Sequence, residues 1–343
     1  MRITHKLLLT LLIVIPFSCA REVNESARSI EERIIKARVQ VKYLDTLHKT
    51  ESGLYYMIQA KGNGKKVDKE NYVYIRYSDL DFNENYTGTS EEKVAKQLGN
   101  YSESTYYGPV LKVVGIDDMN KGIEEMVLAM KEGDRRRILL PSWLSSYVFS
   151  GSLQYSTPTI HDVELVRVVE DIEKFQIDSL ESYRNRYYPG LDSLSFGFYK
   201  KTLKEGTGDT LKIGNKVNVW YIGRFLDHFI FDLNIADTAK KYHIYDSGKS
   251  YEVMVGECKE DKVFEMHGND GSSGSVVKGF SKAIFSMKHG EEAVVFFYAE
   301  LGYGASGNVD NNGVVQIQPF MPLVFYLKVE RTNWDDEPDD ANK

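Results

Sequence analysis

The sequence predicts an α+β protein built twice from one plan. Each copy is an antiparallel sheet wrapped around one short helix, with an N-terminal helix ahead of the copies and a linker helix between them. Three observations carry that reading. The 343 residues include 23 Tyr and 16 Phe but only 8 Pro, a composition suited to aromatic strands packed into sheets rather than to a disordered chain. The alternating runs Val73, Ile75, Tyr77 and Val217, Val219, Tyr221 lie 144 residues apart, each behind a Gly-x-Gly at 62–64 and 206–208, and period-two alternation marks a strand. Each copy also holds a single helical stretch, 122–133 and 279–290, and strands joined without intervening helices pair antiparallel. With 43 Lys and Arg against 50 Asp and Glu the net charge is -7; no basic footprint exists for phosphates, so nucleic acid is not an expected partner.

Residues 1–18 have the layout of an export signal: Arg2, His5 and Lys6, an apolar run over 7–15, then Pro16, Phe17 and Ser18 ahead of Cys19. The run is too short to cross a bilayer, which takes about 20 residues. A Cys behind a small residue resembles the lipobox of bacterial lipoproteins, although Pro16 and Phe17 depart from its usual residues. The resemblance implies acylation of Cys19 and a protein exported and lipid-anchored to the cell envelope, at the outer membrane.

Residues 25–47 read as a helix, with Asn24 as N-cap and Ile30, Ile34, Val41 and Leu44 in one apolar stripe. Such a stripe needs a partner, either its own domain or a second helix in a dimer. The first copy spans 53–170. In its helix Ile123, Met126, Val127 and Met130 share one face, and Gly133 stands where a left-handed C-cap is wanted. Strands over 135–140 and 159–168 follow. A second helix over 170–187, stopped by Pro189 and Gly190, fills the linker 171–193. The second copy spans 194–331, with Phe280, Ala283, Ile284 and Met287 on the helix face, Gly290 behind it, and strands over 292–299 and 323–329. Its helix is offset by 157 residues from the first, so this copy carries an insertion. The acidic tail 332–343 reads as solvated. Cys258, the one thiol of the mature body, lies in a polar stretch and reads as inert and exposed.

Three motifs lack the context their chemistry needs. Residues 302–307 match GxGxxG, but the dinucleotide reading requires a helix to start inside it, and 308–313 continues as loop. Residues 79–83 open like a calcium loop but have Glu84 in place of its Gly and Ser90 in place of its bidentate Glu; they read as a polar strand end. The seven His show no ligand spacing, so no metal site is expected.

The second copy, over about 194–331, resembles the FKBP-type prolyl isomerases. Residues 219–223 are similar to that family's first pocket strand, with Tyr221 in it, and Phe231-Asp232 to its Phe-Asp pair. Residues 251–256 are similar to the strand that adds a pocket aromatic, here Tyr251. Val276 and Val277 lead into the helix, where Phe280 stands for the usual Trp as the pocket floor. Residues 300–304 resemble the turn that carries the pocket Tyr, here Tyr303, and 323–325 the last strand with its pocket Phe, here Phe325. The inserts 233–250 and 257–275 would edit the rim rather than the floor. The second contains Gly268, Gly271, Ser272, Ser273 and Gly274 and reads as a mobile loop. The first copy keeps Tyr77 but has Tyr86-Thr87 for Phe-Asp, Ile123 for the floor aromatic, no pocket Tyr over 141–146, and His161 for the last-strand Phe. It resembles a degenerate relative of the second.

The resemblance implies a peptidyl-prolyl cis-trans isomerase that works without a cofactor on proline-containing envelope proteins. Rotation of a prolyl bond faces a barrier of about 18–20 kcal/mol because twisting removes amide resonance. A dry aromatic pocket suits the less polar, twisted amide better than the planar one. By resemblance, Phe231, Tyr251, Phe280, Tyr303 and Phe325 line that pocket with Tyr221 and Val276. The Val277 amide donates to a substrate carbonyl, the Tyr303 hydroxyl donates to the rotating one, and Asp232 adds polarity at the wall. A rate gain on the order of 10^5 asks about 7 kcal/mol of such contacts. Two other readings stand beside it: a non-catalytic FKBP-like chaperone or binding lipoprotein using two grooves, and a structural lipoprotein with the fold as a spacer.

Overall fold

The computed structural model describes residues 25–116, 118–145, 157–267, 273–310 and 314–332. The export signal, Cys19, the acidic tail beyond 332 and the GS-rich stretch 268–272 lie outside them. No helix of the described residues is long and apolar enough to cross a membrane.

Helix α1, Ala27–Tyr43, is capped two residues later than expected, at Ser26 rather than Asn24. Ser26 Oγ accepts from the Ser29 amide at 3.1 Å, and Leu44, left-handed at φ 47°, ends the helix. An Arg28–Glu32 pair one turn apart supports it locally. The apolar stripe of the sequence reading is not buried: Ile30, Ile34, Val41 and Leu44 are all exposed. This helix belongs to a unit separate from residues 46–343.

Residues 46–343 form one compact unit holding two lobes. In the first, β1 (Tyr55–Ala60), β2 (Tyr72–Leu80), β3 (Tyr86–Thr89), β4 (Val110–Val113), β5 (Arg135–Leu140) and β6 (Thr159–Val169) make an antiparallel sheet in the order β1-β5-β6-β2-β3, with β4 also on β2. Helix α2, Lys121–Leu128, lays Ile123, Met126 and Val127 on the sheet, where they join Val73, Ile75, Ile138, Leu140 and Val163 in the core. Gly122 is required at its entry, since a Cβ there would sit 2.3 Å from Leu140. Helix α3, Ile172–Tyr187, is capped by Asp171, whose carboxylate accepts from the Lys174 amide at 2.9 Å.

The second lobe repeats the order. Strands β7 (Phe198–Lys204), β8 (Lys216–Arg224), β9 (Ile230–Leu233), β10 (Met254–Cys258), β11 (Phe264–His267), β12 (Glu292–Phe297) and β13 (Leu323–Arg331) run β11-β10-β8-β13-β12-β7, with β9 also on β8, all antiparallel. Helix α4, Lys278–Phe285, packs Phe280, Ala283 and Ile284 into the core. Beyond a bulge at Tyr74–Ile75 in the first lobe, the registers of the two central strand pairs match. His161 faces Asp79 across β6 and β2, and Phe325 faces Gly223 across β13 and β8.

Four expectations are corrected by this fold. Gly133 and Gly290 do take positive φ, at 89° and 75°, but they are not C-caps; the helices end at Leu128 and Phe285, and the glycines turn the chain into the next strand. The sequence 257–275 is not simply a loop: 264–267 pairs with β10 on one side and with 273–275 on the other, extending the sheet as a hairpin. The strand expected to open at Tyr251 starts three residues later, at Met254. Cys258 is fully buried rather than exposed, and burial pushes its thiol up to about 11, so it is inert by desolvation.

Candidate active site

The site forms where β8, β9, α4, β12 and β13 converge. Residues 221, 223 and 225 point to one face of β8, and the chain turns at 226–229 into β9, bringing Phe231 back over that face. Gly223 makes this packing feasible. A Cβ there would lie 2.6 Å from the Phe231 ring and 3.0 Å from the Phe325 ring, so only glycine lets both rings close over the strand. In the first lobe the equivalent residue is Asp79, and the closure is absent.

Around Gly223 the rings meet edge to face. Phe231 and Phe325 lie 5.7 Å apart at 90°, Phe280 and Phe325 5.2 Å apart at 82°, and Tyr221 and Phe280 5.9 Å apart at 82°. Such crossed pairs add packing energy beyond area burial. Phe280 and Phe325 are buried, while Phe231, Val276, Val277 and Tyr303 are half-buried against the same core, which makes a floor of buried rings with an accessible wall. Phe264 and Phe297 stack behind Phe280 and Phe325.

The polar groups sit at the edges of this box. The Tyr221 hydroxyl donates to Asp232 Oδ2 at 2.8 Å, and the other carboxylate oxygen accepts from the Leu233 amide at 2.9 Å and from Lys249. Burial, and then the Asp232 carboxylate, push the Tyr221 hydroxyl far above the usual phenol range. The Tyr303 hydroxyl is raised for the same two reasons, burial first and the charge of Asp232 second. Both phenols hold their protons at neutral pH, so each hydroxyl keeps a hydrogen to donate. At the start of α4 the Val276 amide donates to the Phe264 carbonyl at 3.2 Å and the Val277 carbonyl accepts from Ser281 at 3.1 Å. Among the described residues the Val277 N–H donates to no protein acceptor. At a helix N-terminus such an N–H has no intrahelical partner and is open to water or a ligand.

Eight of the nine pocket residues expected from the sequence therefore converge: Tyr221, Phe231, Asp232, Val276, Val277, Phe280, Tyr303 and Phe325. Tyr251 is the exception. Its ring stacks on Tyr245 at 5.0 Å and packs with Ile222, Leu233 and Ile244, and its hydroxyl accepts from the Asp246 amide at 2.9 Å. The insert 233–250, with its helical turn Ala236–Lys241, supplies the partners that draw Tyr251 off the box; Met254 packs against the pocket core instead. Sequence reasoning missed Lys249, which sits in the insert with no pattern to mark it. It also missed Phe225, although the alternation 221, 223, 225 placed it on the pocket face.

The same position in the first lobe holds a different chemistry. His161 Nδ1 lies 2.6 Å from Asp79 Oδ1, and its Nε2 lies 2.8 Å from Thr159 Oγ1. Ser78 and Thr89 pair at 2.8 Å, Tyr86 is exposed, and Ile123 is absorbed into the core. A polar, hydrogen-bonded cluster stands where the second lobe keeps a dry box. The calcium-like segment closes on itself as a hairpin, with Asp81 accepting from the amides of Asn83 and Asn85 at 2.8 and 2.9 Å. Among the described residues no three His, Cys, Asp or Glu side chains are grouped for a metal ion.

Residues 208–330 match the family model of the FKBP-type peptidyl-prolyl cis-trans isomerases. The second lobe is an FKBP-type isomerase domain. Three solved structures are among those the chain resembles. The three FKBP domains of wheat FKBP73 are 15% identical, with a TM-score of 0.29 over 83% of this chain and 98% of that one. A peptidyl-prolyl cis-trans isomerase of Pseudomonas syringae pv. tomato DC3000 is 23% identical, with a TM-score of 0.33 over 46% and 91%. FkpA from Escherichia coli is 20% identical, with a TM-score of 0.30 over 46% and 61%. The converging residues, 221 to 325, all lie within the matched span.

Proposed function

We propose that the box formed by Tyr221, Phe231, Phe280, Tyr303 and Phe325 is the catalytic pocket of the FKBP domain, and that the chain is a lipid-anchored folding factor of the cell envelope acting on Xaa-Pro bonds. The observation that carries the site is the unpaired Val277 amide at the mouth of a box of crossed rings. A planar prolyl amide entering the box loses water, and its rotation toward the less polar twisted form reduces that penalty. The Val277 N–H holds one substrate carbonyl, while the protonated Tyr303 hydroxyl is free to donate to the carbonyl that rotates. Asp232 is fixed by Tyr221 and Lys249 and keeps the Tyr303 proton in place; it exchanges none. No bond is made or broken.

Exchange spectroscopy on a proline tetrapeptide tests this directly. The chain is expected to accelerate cis-trans exchange catalytically, with Tyr303→Phe lowering the rate by about tenfold, the worth of one hydrogen bond of about 1.4 kcal/mol. Unchanged exchange in Tyr303→Phe would remove the hydroxyl from the mechanism. Membrane attachment rests on the residues around Cys19: palmitate labelling is expected to vanish in Cys19→Ser, and equal labelling would contradict the anchor.

A further inference from the structure

The first lobe has lost the pocket, yet one of its residues reaches the wall of the other lobe's pocket. Tyr106 lies in the segment between the helical turn Glu92–Leu98 and β4. Its ring meets Phe225 edge-on at 5.2 Å and Phe229 at 5.2 Å. Phe225 in turn stacks on Phe231 at 5.1 Å, and Phe231 meets Phe325. An unbroken row of rings therefore runs from the first lobe to the catalytic box, with Phe225 clamped between Tyr106 and Phe231.

The segment that carries Tyr106 is tied down on the second lobe. The Gln318 side chain, buried, accepts from the Leu111 amide at 2.9 Å and donates to the Pro109 carbonyl at 3.3 Å. The Tyr106 hydroxyl faces Asp227, whose carboxylate also accepts from the Phe229 amide at 3.1 Å at the β8–β9 turn. Gly108 lies against the Tyr106 hydroxyl; a Cβ there would come within 2.6 Å of it. On its other side Tyr106 borders a cavity of about 250 Å³ between the lobes, lined also by Tyr74, Phe175, Leu226 and Met321.

We infer that Tyr106 is a positioning residue of the isomerase: the first lobe sets the Phe231 wall of the second lobe's pocket through Phe225. Phe231 is half-buried and lies on the short strand β9, which turns back at exposed residues 227 and 228. A half-buried wall on a short strand takes part of its position from what stands behind it. The degenerate copy is thus retained as a buttress, and its own lost pocket is irrelevant to that work. The inference rests on the assignment of the catalytic box.

The test uses the full chain and four variants. Tyr106→Ala is expected to lower kcat/KM on a proline tetrapeptide by about tenfold, since a displaced wall misplaces the substrate, while Tyr106→Phe, which keeps the ring, stays within about twofold. Gly108→Ala, which pushes the ring, falls between them. Tyr72→Ala removes the other ring contact between lobes, to Phe320 at 5.3 Å, and is expected to leave kcat/KM unchanged. Ring-labelled phenylalanine reports on the wall itself: the Phe231 resonance should shift in Tyr106→Ala and not in Tyr72→Ala, with weaker peptide binding in the former alone. Equal losses in Tyr106→Ala and Tyr72→Ala, or an unshifted Phe231 resonance in a folded Tyr106→Ala protein, would overturn the inference. A wild-type chain that binds the peptide without turning it over would instead defeat the catalytic reading, and the Phe231 shift and peptide affinity would still decide the role of Tyr106.

Discussion

Gly223 concentrates the chemistry of the site in one missing side chain. Its absent Cβ leaves room for two rings, so Gly223→Ala is expected to part Phe231 from Phe325, lower kcat/KM by at least tenfold and cost about 1–3 kcal/mol of stability by overpacking. Thermal melting and tetrapeptide turnover measure the two effects. A variant with full activity would show that the rings need not close. The ring positions were legible because strand alternation and the family's motif order agree at Tyr221, Phe231, Phe280 and Phe325. Tyr251 was misread because its fate is decided by contacts within the insert, with Tyr245 and Ile244, which no local pattern encodes. Cys258 was misread for a related reason: its neighbours Glu257 and Lys259 are polar, but it points inward from β10.

At the scale of elements, helix α3 does more than link the lobes. The Gln176 side chain, buried, accepts from the Ala299 amide at 2.8 Å. The Ala299 carbonyl in turn accepts from Gly302 and Gly304, on either side of Tyr303, at 2.7 and 2.8 Å. The linker helix therefore holds the turn that carries Tyr303. Gln176→Leu strands a buried amide and is expected to cost about 1–3 kcal/mol and to lower kcat more than the uncoupled change Asp171→Ala, which removes only the helix cap and costs about 1 kcal/mol. Urea melts and tetrapeptide kinetics of the two variants check this. The helix itself was legible with its Pro-Gly stop; its grip on the Tyr303 turn spans 123 residues and is a tertiary fact. Helix α1 shows the converse, since its stripe was legible as a pattern but lies exposed in the fold.

In the molecule as a whole, burial raises many phenols together. Tyr74 and Tyr183 are pushed up to about 12, and Tyr106, Tyr221 and Tyr326 further. These groups bind their protons more tightly folded than unfolded, where tyrosine titrates near 10. Their contribution is fully present below that value and is lost as pH rises through the folded values. The melting temperature is expected to hold steady from pH 7 to about 9 and to fall steeply between about 10 and 12; a flat profile to pH 12 would mean that these rings are solvated. The two lobes share one topology but differ in what lines the site, most plainly at one cross-strand pair, Gly223 with Phe325 or Asp79 with His161. On the proposed reading, these differences leave catalysis to the second lobe. The most direct measurement is kcat/KM for a proline tetrapeptide on the full chain carrying Phe325→Ala or His161→Ala. The account predicts a loss of about a hundredfold, or 2.7 kcal/mol, in Phe325→Ala and none in His161→Ala with both variants folded. Equal activity in the two variants, or a loss confined to His161→Ala, would contradict it.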